Sequence, residues 1–273
     1  PKDPPLSLGH ASILANLKNN NIPVIHKSWS VNHSDFKPEE VIQFIMQQKE
    51  GNLDVAMGAF VWNEPYLQVI MQGIKQEGFQ GNIILGGPQI SYVKQNVEAY
   101  YPLADIFIRG YAEDAMALLF SEQKENPIIA GVHYAGEPDL GVSAKVDLES
   151  IPSPFLTGII APQPFIRWET QRGCPFRCSF CQHRESDISM KRHNFSMSRV
   201  MQEIDWIIAN PVIQDIAVLD PTFNTGPHYL EILHAFAVKK FTGKLSLQCR
   251  IEIVTSEFLD VVQEINKNGR VVL

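Results

Sequence analysis

The chain is short of the residues that would tie it to the cell exterior or to a membrane. Four cysteines in 273 residues are too few for a secreted disulfide scaffold, and three of them stand so close together that pairing would be awkward. No apolar run reaches the roughly 20 residues of a membrane-spanning helix, and no signal peptide is recognisable. Basic residues are outnumbered, 23 Lys and Arg against 30 Asp and Glu. That balance, with a pI near 5.6, argues against non-specific nucleic-acid binding, which needs a basic face, while leaving a specific RNA substrate open. An initiating Met is also missing: the chain opens Pro1-Lys2-Asp3, which reads as a start inside a longer protein. A cytoplasmic location in a reducing compartment is expected.

There is ample core. With 45% hydrophobic residues and a length above the usual single-domain mode, two domains are expected. Apolar positions at helical spacing follow Pro4-Pro5-Leu6-Ser7-Leu8-Gly9 and stop at Asn20-Asn21. Val24-Ile25-His26 reads as a short strand, and Pro38-Glu39-Glu40 opens a helix to about Gln48, because proline suits a first turn and acids suit the positive helix end. Further strands are expected at 53–60, 82–85 and 106–108, with helices at 65–77, 93–100 and 113–120. This alternation predicts an open parallel sheet with helices on both faces, binding ligands at the carboxyl ends of its strands. Three loops fall there: Phe60-Val61-Trp62-Asn63-Glu64, Gly86-Gly87-Pro88 and Arg109-Gly110-Tyr111. Taken alone, Gly-Gly-Pro is an ordinary tight turn.

From 142 to 164 the prolines of Ile151-Pro152-Ser153-Pro154 and Ala161-Pro162-Gln163-Pro164 interrupt any periodicity and mark a linker. Beyond it, strands at 165–170, 215–219, 245–249 and 270–273 alternate with helices at 198–210, 229–239 and 257–268. A strand–helix unit takes about 30 residues, so 165–273 holds roughly three and a half units.

The first of these strands delivers Gln171-Arg172-Gly173-Cys174-Pro175-Phe176-Arg177-Cys178-Ser179-Phe180-Cys181, with three cysteines inside eight residues. Three thiolates on a short loop can take three corners of a cubane, whereas a [4Fe–4S] site ordinarily has four cysteine ligands. One iron is then open to a ligand bearing an amine and a carboxylate, such as the methionyl end of S-adenosylmethionine. A zinc site is the competing reading. It normally needs four ligands, usually as two separated pairs; Cys249 stands alone, and His183 or His193 just downstream would have to complete a Cys3His set. The lone Cys249 reads most simply as a buried strand residue, and Met190-Lys191-Arg192-His193 as either an anion-attracting run or a solvated face.

The CxxxCxxC loop, with Arg172 and Gly173 ahead of it and Phe176 and Phe180 between the cysteines, resembles the radical S-adenosylmethionine superfamily. The run Pro-Pro-Leu-Ser-Leu-Gly, the strand leading to Gly86-Gly87-Pro88, and Ala104-Asp105-Ile106-Phe107-Ile108-Arg109-Gly110 look like the cobalamin-binding domain ahead of many such cores. The resemblance implies an α/β chain. Residues 1–141 would be a Rossmann-like cobalamin-binding open parallel sheet, 142–164 a preamble, and 165–273 part of a (β/α)6 partial barrel. The first strand of the sheet would precede Pro1, and about 75 residues of barrel would follow Leu273. By the same resemblance Cys174, Cys178 and Cys181 hold the cluster and the backbone around Phe180 meets the adenine. Asp220 and Asn224 would meet the methionyl amine or ribose, Arg250 the methionyl carboxylate, and Glu252 the ribose hydroxyls. The cobalamin tail would lie near Gly86, Gly87 and Pro88, and the corrin near Phe60, Trp62, Asn63, Arg109, Gly110 and Tyr111. A DxHxxG motif is absent, and His10 reads as a helix residue rather than a cobalt ligand, so the lower cobalt face would be open or hold water.

The implied activity is cleavage of S-adenosylmethionine to a 5′-deoxyadenosyl radical, with cobalamin-dependent methyl transfer to an unactivated carbon or phosphorus of a small molecule or peptide. Flavodoxin or ferredoxin would supply the electron. The alternatives are a corrinoid-independent radical enzyme carrying out cyclisation, rearrangement or sulfur insertion, and a non-catalytic cobalamin- or metal-sensing module.

Overall fold

The computed structural model describes residues 6–48, 53–122, 124–181 and 191–273. It divides into two compact units, one within 20–146 and the other comprising 6–19 and 147–273. No helix among the described residues is long and apolar enough to cross a membrane.

In chain order the elements up to the linker are α1 (Leu8–Asn19), α2 (Pro38–Gln47), β1 (Val55–Gly58), α3 (Glu64–Gln76), β2 (Ile83–Gly86), the single turn α4 (Pro88–Ser91), β3 (Ile106–Ile108), α5 (Ala112–Ser121) and β4 (Val132–Tyr134). Strands β1, β2 and β3 are parallel, with Val55 opposite Ile83 and Ile84 opposite Ile106, and β4 closes the edge antiparallel to β3. The central strand β2 is buried on both faces through Ile83, Ile84 and Leu85, as a parallel strand covered by helices must be. Helix α3 turns Leu67, Ile70, Met71 and Ile74 inward and α2 turns Val41, Ile42, Ile45 and Met46 inward, both at the helical period.

Several expectations needed revision. Val24 and Ile25 are exposed and form no strand, since an extended segment becomes a strand only by pairing with a neighbour. The helix expected at 93–100 is replaced by α4 and a short 3-10 turn at Val97–Ala99. Asn96 there adopts the left-handed conformation at φ 57°, which asparagine tolerates but a helix does not. Strand β4 has no counterpart in the sequence reading. Helix α1 groups with the second unit rather than with 20–146. It is buried on several sides through Leu8, Ala11, Ser12, Leu14, Ala15, Asn16 and Leu17, and Lys18 Nζ donates to Thr157 O at 3.1 Å. His10 lies in this helix.

The second unit continues with β5 (Phe165–Trp168), β6 (Gln171–Arg172), β7 (His193–Asn194), α6 (Met197–Ala209), β8 (Asp215–Val218), α7 (Tyr229–Val238), β9 (Lys244–Ser246), α8 (Ser256–Ile265) and β10 (Arg270–Val272). Its main sheet is wholly parallel in the order β10-β9-β8-β5. Ser196 caps α6 by accepting from Arg199 N, and Thr255 caps α8 by accepting from Phe258 N. Behind β5, Trp168 Nε1 donates to the buried Glu203 at 2.6 Å, and Glu203 also accepts from Arg199 Nε at 3.0 Å. Arg199 reaches the linker through Nη1 to Ile151 O at 2.8 Å.

Among the described residues of the first unit, Arg109 and Asp139 form a buried ion pair. The Arg109 side chain, 2% exposed, donates from Nη1 and Nη2 to the two carboxylate oxygens of Asp139, both at 2.7 Å, and from Nε to Val93 O at 2.8 Å. Burial pushes the Asp139 carboxyl up, but the guanidinium and the Gly141 N–H outweigh it and hold the group below its ordinary value. Its contribution is therefore present above the unfolded carboxylate range and lost as pH falls through the folded value. Asp139→Asn leaves the guanidinium buried without a counter-charge. It should lower the stability of the protein by about 3–5 kcal/mol in urea unfolding at neutral pH, whereas the Arg109→Met, Asp139→Leu double variant should lose much less.

Candidate functional site

Strands β5, β8 and β9 run side by side in one direction, so the loops leaving their carboxyl ends emerge along one edge. These loops carry the cysteines, residues 220–224 and residues 248–252. They are stitched together by side chains. Asp220, fully buried, accepts from Thr170 N at 2.8 Å, Thr170 Oγ1 at 2.5 Å and Gln171 N at 3.2 Å. Gln171 Nε2 donates to Thr222 O at 3.1 Å, and Phe223 N to Gln248 O at 2.7 Å. Buried Asn224 reads the backbone of residue 250 on both sides, accepting from Arg250 N and donating to Arg250 O, each at 2.8 Å.

The cysteine loop starts from this support. Gln171 and Arg172 pair antiparallel with Asn194 and His193, so β6 and β7 pin the two ends of the segment between them. Gly173, at φ 81°, makes the left-handed step out of β6 that other residues resist. Arg172 is tied back to Glu169 at 2.7 Å and to Ser12 Oγ at 3.4 Å. Cys174, Cys178, Cys181 and Cys249 are all free and partly exposed. Cys174 Sγ lies 4.0 Å from Thr222 Oγ1 and Cys178 Sγ lies 4.0 Å from Arg250 Nη1. The Arg250 guanidinium stacks over Phe176 at 3.9 Å and pairs with Glu252. The Cys181 N–H closes a turn onto Cys178 O at 3.0 Å, and the Phe180 ring is 91% exposed.

This geometry alters several expected roles. Asp220 and Asn224 have their side-chain groups committed to Thr170, Gln171 and the Arg250 backbone, so they support the loops. Cys249 lies past the end of β9 and is only half-buried; burial pushes its thiol up to about 11. Arg192 itself is not solvated: it donates to Thr225 Oγ1, its buried Nε has no partner among the described residues, and burial lowers its pKa against the opposing pull of Cys174 and Asp220. His193 is exposed in β7, and His183 lies outside the described residues. Thr170, Gln171 and Thr222 were not singled out from the sequence, because nothing local marks a threonine or glutamine that acts across about fifty positions of chain.

In the first unit, the loops at Phe60–Glu64, Gly86–Pro88 and Arg109–Tyr111 follow the carboxyl ends of β1, β2 and β3 and so share one sheet edge. Phe60 and Trp62 stack at 4.8 Å with 14° between their planes, and Trp62 is 55% exposed. Asn63 shapes the turn, accepting from Phe60 N and donating to Gly58 O, each at 2.8 Å. Gly87 has φ 97°, and a Cβ there would lie 2.8 Å from Ala59 O, so glycine is required by the chain's own close approach. Glu64 joins the edge by accepting from Gln89 Nε2 at 2.7 Å and Tyr101 Oη at 2.9 Å. Gly110 N donates to Ser91 Oγ at 3.0 Å and Tyr111 N to Ala144 O at 3.2 Å. Arg109 turns inward to Asp139 and offers no charge to a ligand.

Burial pushes the Asp220 carboxyl up to about 7, although its Thr170 and Gln171 donors favour the ionised form. A folded value above the unfolded one means that stability falls as pH rises from about 4 to about 7, by up to about 1.4 kcal/mol per unit for this group. Asp220→Asn should remove that component. Chemical denaturation of both proteins at intervals from pH 4 to 8 would show a stability difference that changes across this window and is flat above it.

Residues 168–273 match the family model described as the radical SAM superfamily, SAM being S-adenosylmethionine. Among curated proteins the chain is 27% identical over 201 residues to the cobalamin-dependent radical SAM methyltransferase TokK of Streptomyces tokunonensis, covering 67% of this chain and 29% of that protein. It is 27% identical over 232 residues to the 2-(S-pantetheinyl)-carbapenam-3-carboxylate methyltransferase of Streptantibioticus cattleyicolor, covering 74% of this chain and 33% of that one. The chain thus spans about a third of the length of these relatives. Its fold matches TsrM of Kitasatospora setae, a radical S-adenosylmethionine methyltransferase solved with cobalamin and a [4Fe–4S] cluster, at TM-score 0.73 and 14% identity over 98% of this chain and 57% of that one. It also matches the cobalamin-dependent S-adenosylmethionine radical enzyme OxsB at TM-score 0.70 and 16% identity, over 98% and 41%. The cysteine loop and strands β8, β9 and β10 lie within residues 168–273, the stretch that is similar to the radical SAM superfamily.

Proposed function

We propose that this chain is the cofactor-binding part of a cobalamin-dependent radical SAM methyltransferase. The observation that carries the reading is the loop of three unpaired thiols, Cys174, Cys178 and Cys181, anchored at a parallel sheet edge. The donor set suits the cluster. All three are soft thiols, the donor type that holds iron–sulfur clusters. Three such donors on one loop would hold three irons of the cluster, with one iron left to the cofactor. With cluster, SAM and cobalamin bound, the chemistry supplied is one-electron cleavage of SAM to a 5′-deoxyadenosyl radical and delivery of a methyl group to an unactivated carbon or phosphorus.

The chain's own residues bind and orient. In this reading the 165–273 strands belong to a (β/α)6 partial barrel and 20–146 is a Rossmann-like cobalamin domain. The backbone around Phe180, a residue 91% exposed, would meet the adenine, and Glu252, half-exposed, the ribose hydroxyls. Asp220 holds the loop start through Thr170 and Gln171. In the first unit the stacked Phe60 and Trp62 rings would present a flat apolar face to a corrin, with the nucleotide tail near the Gly86-Gly87-Pro88 turn. A small molecule or peptide is the substrate class, with flavodoxin or ferredoxin as electron donor.

The test uses the full-length protein reconstituted anaerobically. About four iron and four sulfide per chain and release of 5′-deoxyadenosine from SAM are expected, and Cys178→Ala should abolish both; zinc without iron or sulfide would overturn the reading. Hydroxocobalamin should bind, and Trp62→Ala should weaken it about 2- to 10-fold in a spectrophotometric titration. Absence of bound cobalt would reject the cobalamin part while leaving the cluster part standing.

A further inference from the structure

Arg250 was expected to reach for a carboxylate of the bound cofactor, yet its side chain turns towards the cysteine loop. The guanidinium lies 4.0 Å from Cys178 Sγ and 3.9 Å over the Phe176 ring, the residue midway between the first two cysteines. Its position is built from below. Asn224, 3% exposed, holds the Arg250 backbone through two 2.8 Å hydrogen bonds. Phe223 N, one residue before, holds Gln248 O at 2.7 Å. A planar cation stacked on an aromatic face and fixed at its backbone keeps its charge in one place. Glu252 pairs with Arg250 Nη2 and is about half-exposed.

We propose that Arg250 is a positioning residue that sets the reduction potential of the cluster, with Asn224 as its anchor and Glu252 as its partial counterweight. The inference rests on the cluster reading above. Cluster potentials respond to net charge and to hydrogen bonds at the cysteine sulfurs. Three thiolates on a 2+ cluster carry a net charge of about −1, and accepting one electron takes that to about −2. A cation beside Cys178 favours the reduced form, and an anion paired with that cation opposes it. The two neighbours must therefore act with opposite sign, which neither a packing role nor a cofactor-binding role requires.

The experiment is an EPR-monitored redox titration of the reconstituted full-length protein, with titanium(III) citrate as the electron source for the 2+/1+ couple, with and without SAM. Iron and sulfide content is measured alongside. Arg250→Gln should move the midpoint to a more negative potential and Glu252→Gln to a less negative one. Arg250→Lys should fall between Arg250→Gln and wild type, and Asn224→Ala should shift in the direction of Arg250→Gln. Overturning results are an unmoved midpoint in a fully loaded Arg250→Gln protein, shifts of the same sign for Arg250→Gln and Glu252→Gln, or a loss confined to SAM affinity. If Arg250→Gln cannot be loaded, the sign of the Glu252→Gln shift alone decides. A wild-type protein that takes up no iron and sulfide would mark failure of the cluster reading itself, and the proposal would fall with it.

Discussion

The second unit depends on one buried carboxylate. A parallel sheet brings strand ends to a common edge, but the loops that leave them are polar, glycine-containing and without a ladder of their own. Asp220 supplies what the backbone cannot. Its two oxygens take three hydrogen bonds from Thr170 and Gln171, joining the end of β8 to the entry of the cysteine loop. Burying an ionisable group has a cost, visible in a carboxyl pushed up to about 7, and the three donors offset it. Such a group is retained where a unique geometry is needed, because an apolar replacement would leave Thr170 N–H and Gln171 N–H without acceptors.

From that anchor the support spreads sideways. Gln171 holds Thr222, Phe223 holds Gln248, and Asn224 holds Arg250, so each strand-end loop is a neighbour's hydrogen-bond partner. The thiols are placed on a loop whose two ends are fixed by β6 and β7. A hydroxyl approaches Cys174 and a guanidinium approaches Cys178. The first unit solves the same problem differently: Asn63 shapes the loop after β1, Glu64 joins it to Gln89 and Tyr101, and the Arg109–Asp139 pair locks the loop after β3.

Elements whose signal is local were legible. The apolar runs of β1, β2, β3 and β8 and the amphipathic helices α2, α3, α6 and α8 stand within a few residues of their expected places, since their periodicity is dictated by which face meets the core. Elements that exist only through a distant partner were not. Strand β4 forms because Val132–Tyr134 meets β3, β6 and β7 form because Gln171 meets Asn194, and Val24-Ile25 forms nothing because no strand pairs with it. Helix α1 was legible as a helix but not as a member of the second unit, because its period does not say which core will cover it.

The amino-acid sequence by itself determined the chemistry on offer: three clustered thiols, glycines at the strand ends, an alternating α/β chain. These follow from residue type and spacing, which need no partner to be read. Tertiary structure alone decided which polar side chains remain for a ligand. Asp220, Asn224 and Arg109 look like ligand contacts in one dimension and prove to be occupied in three, because a buried donor or acceptor must be satisfied by whatever the fold brings beside it. Arg250 was redirected by the same rule, its backbone held by Asn224 so that its charge rests against Cys178.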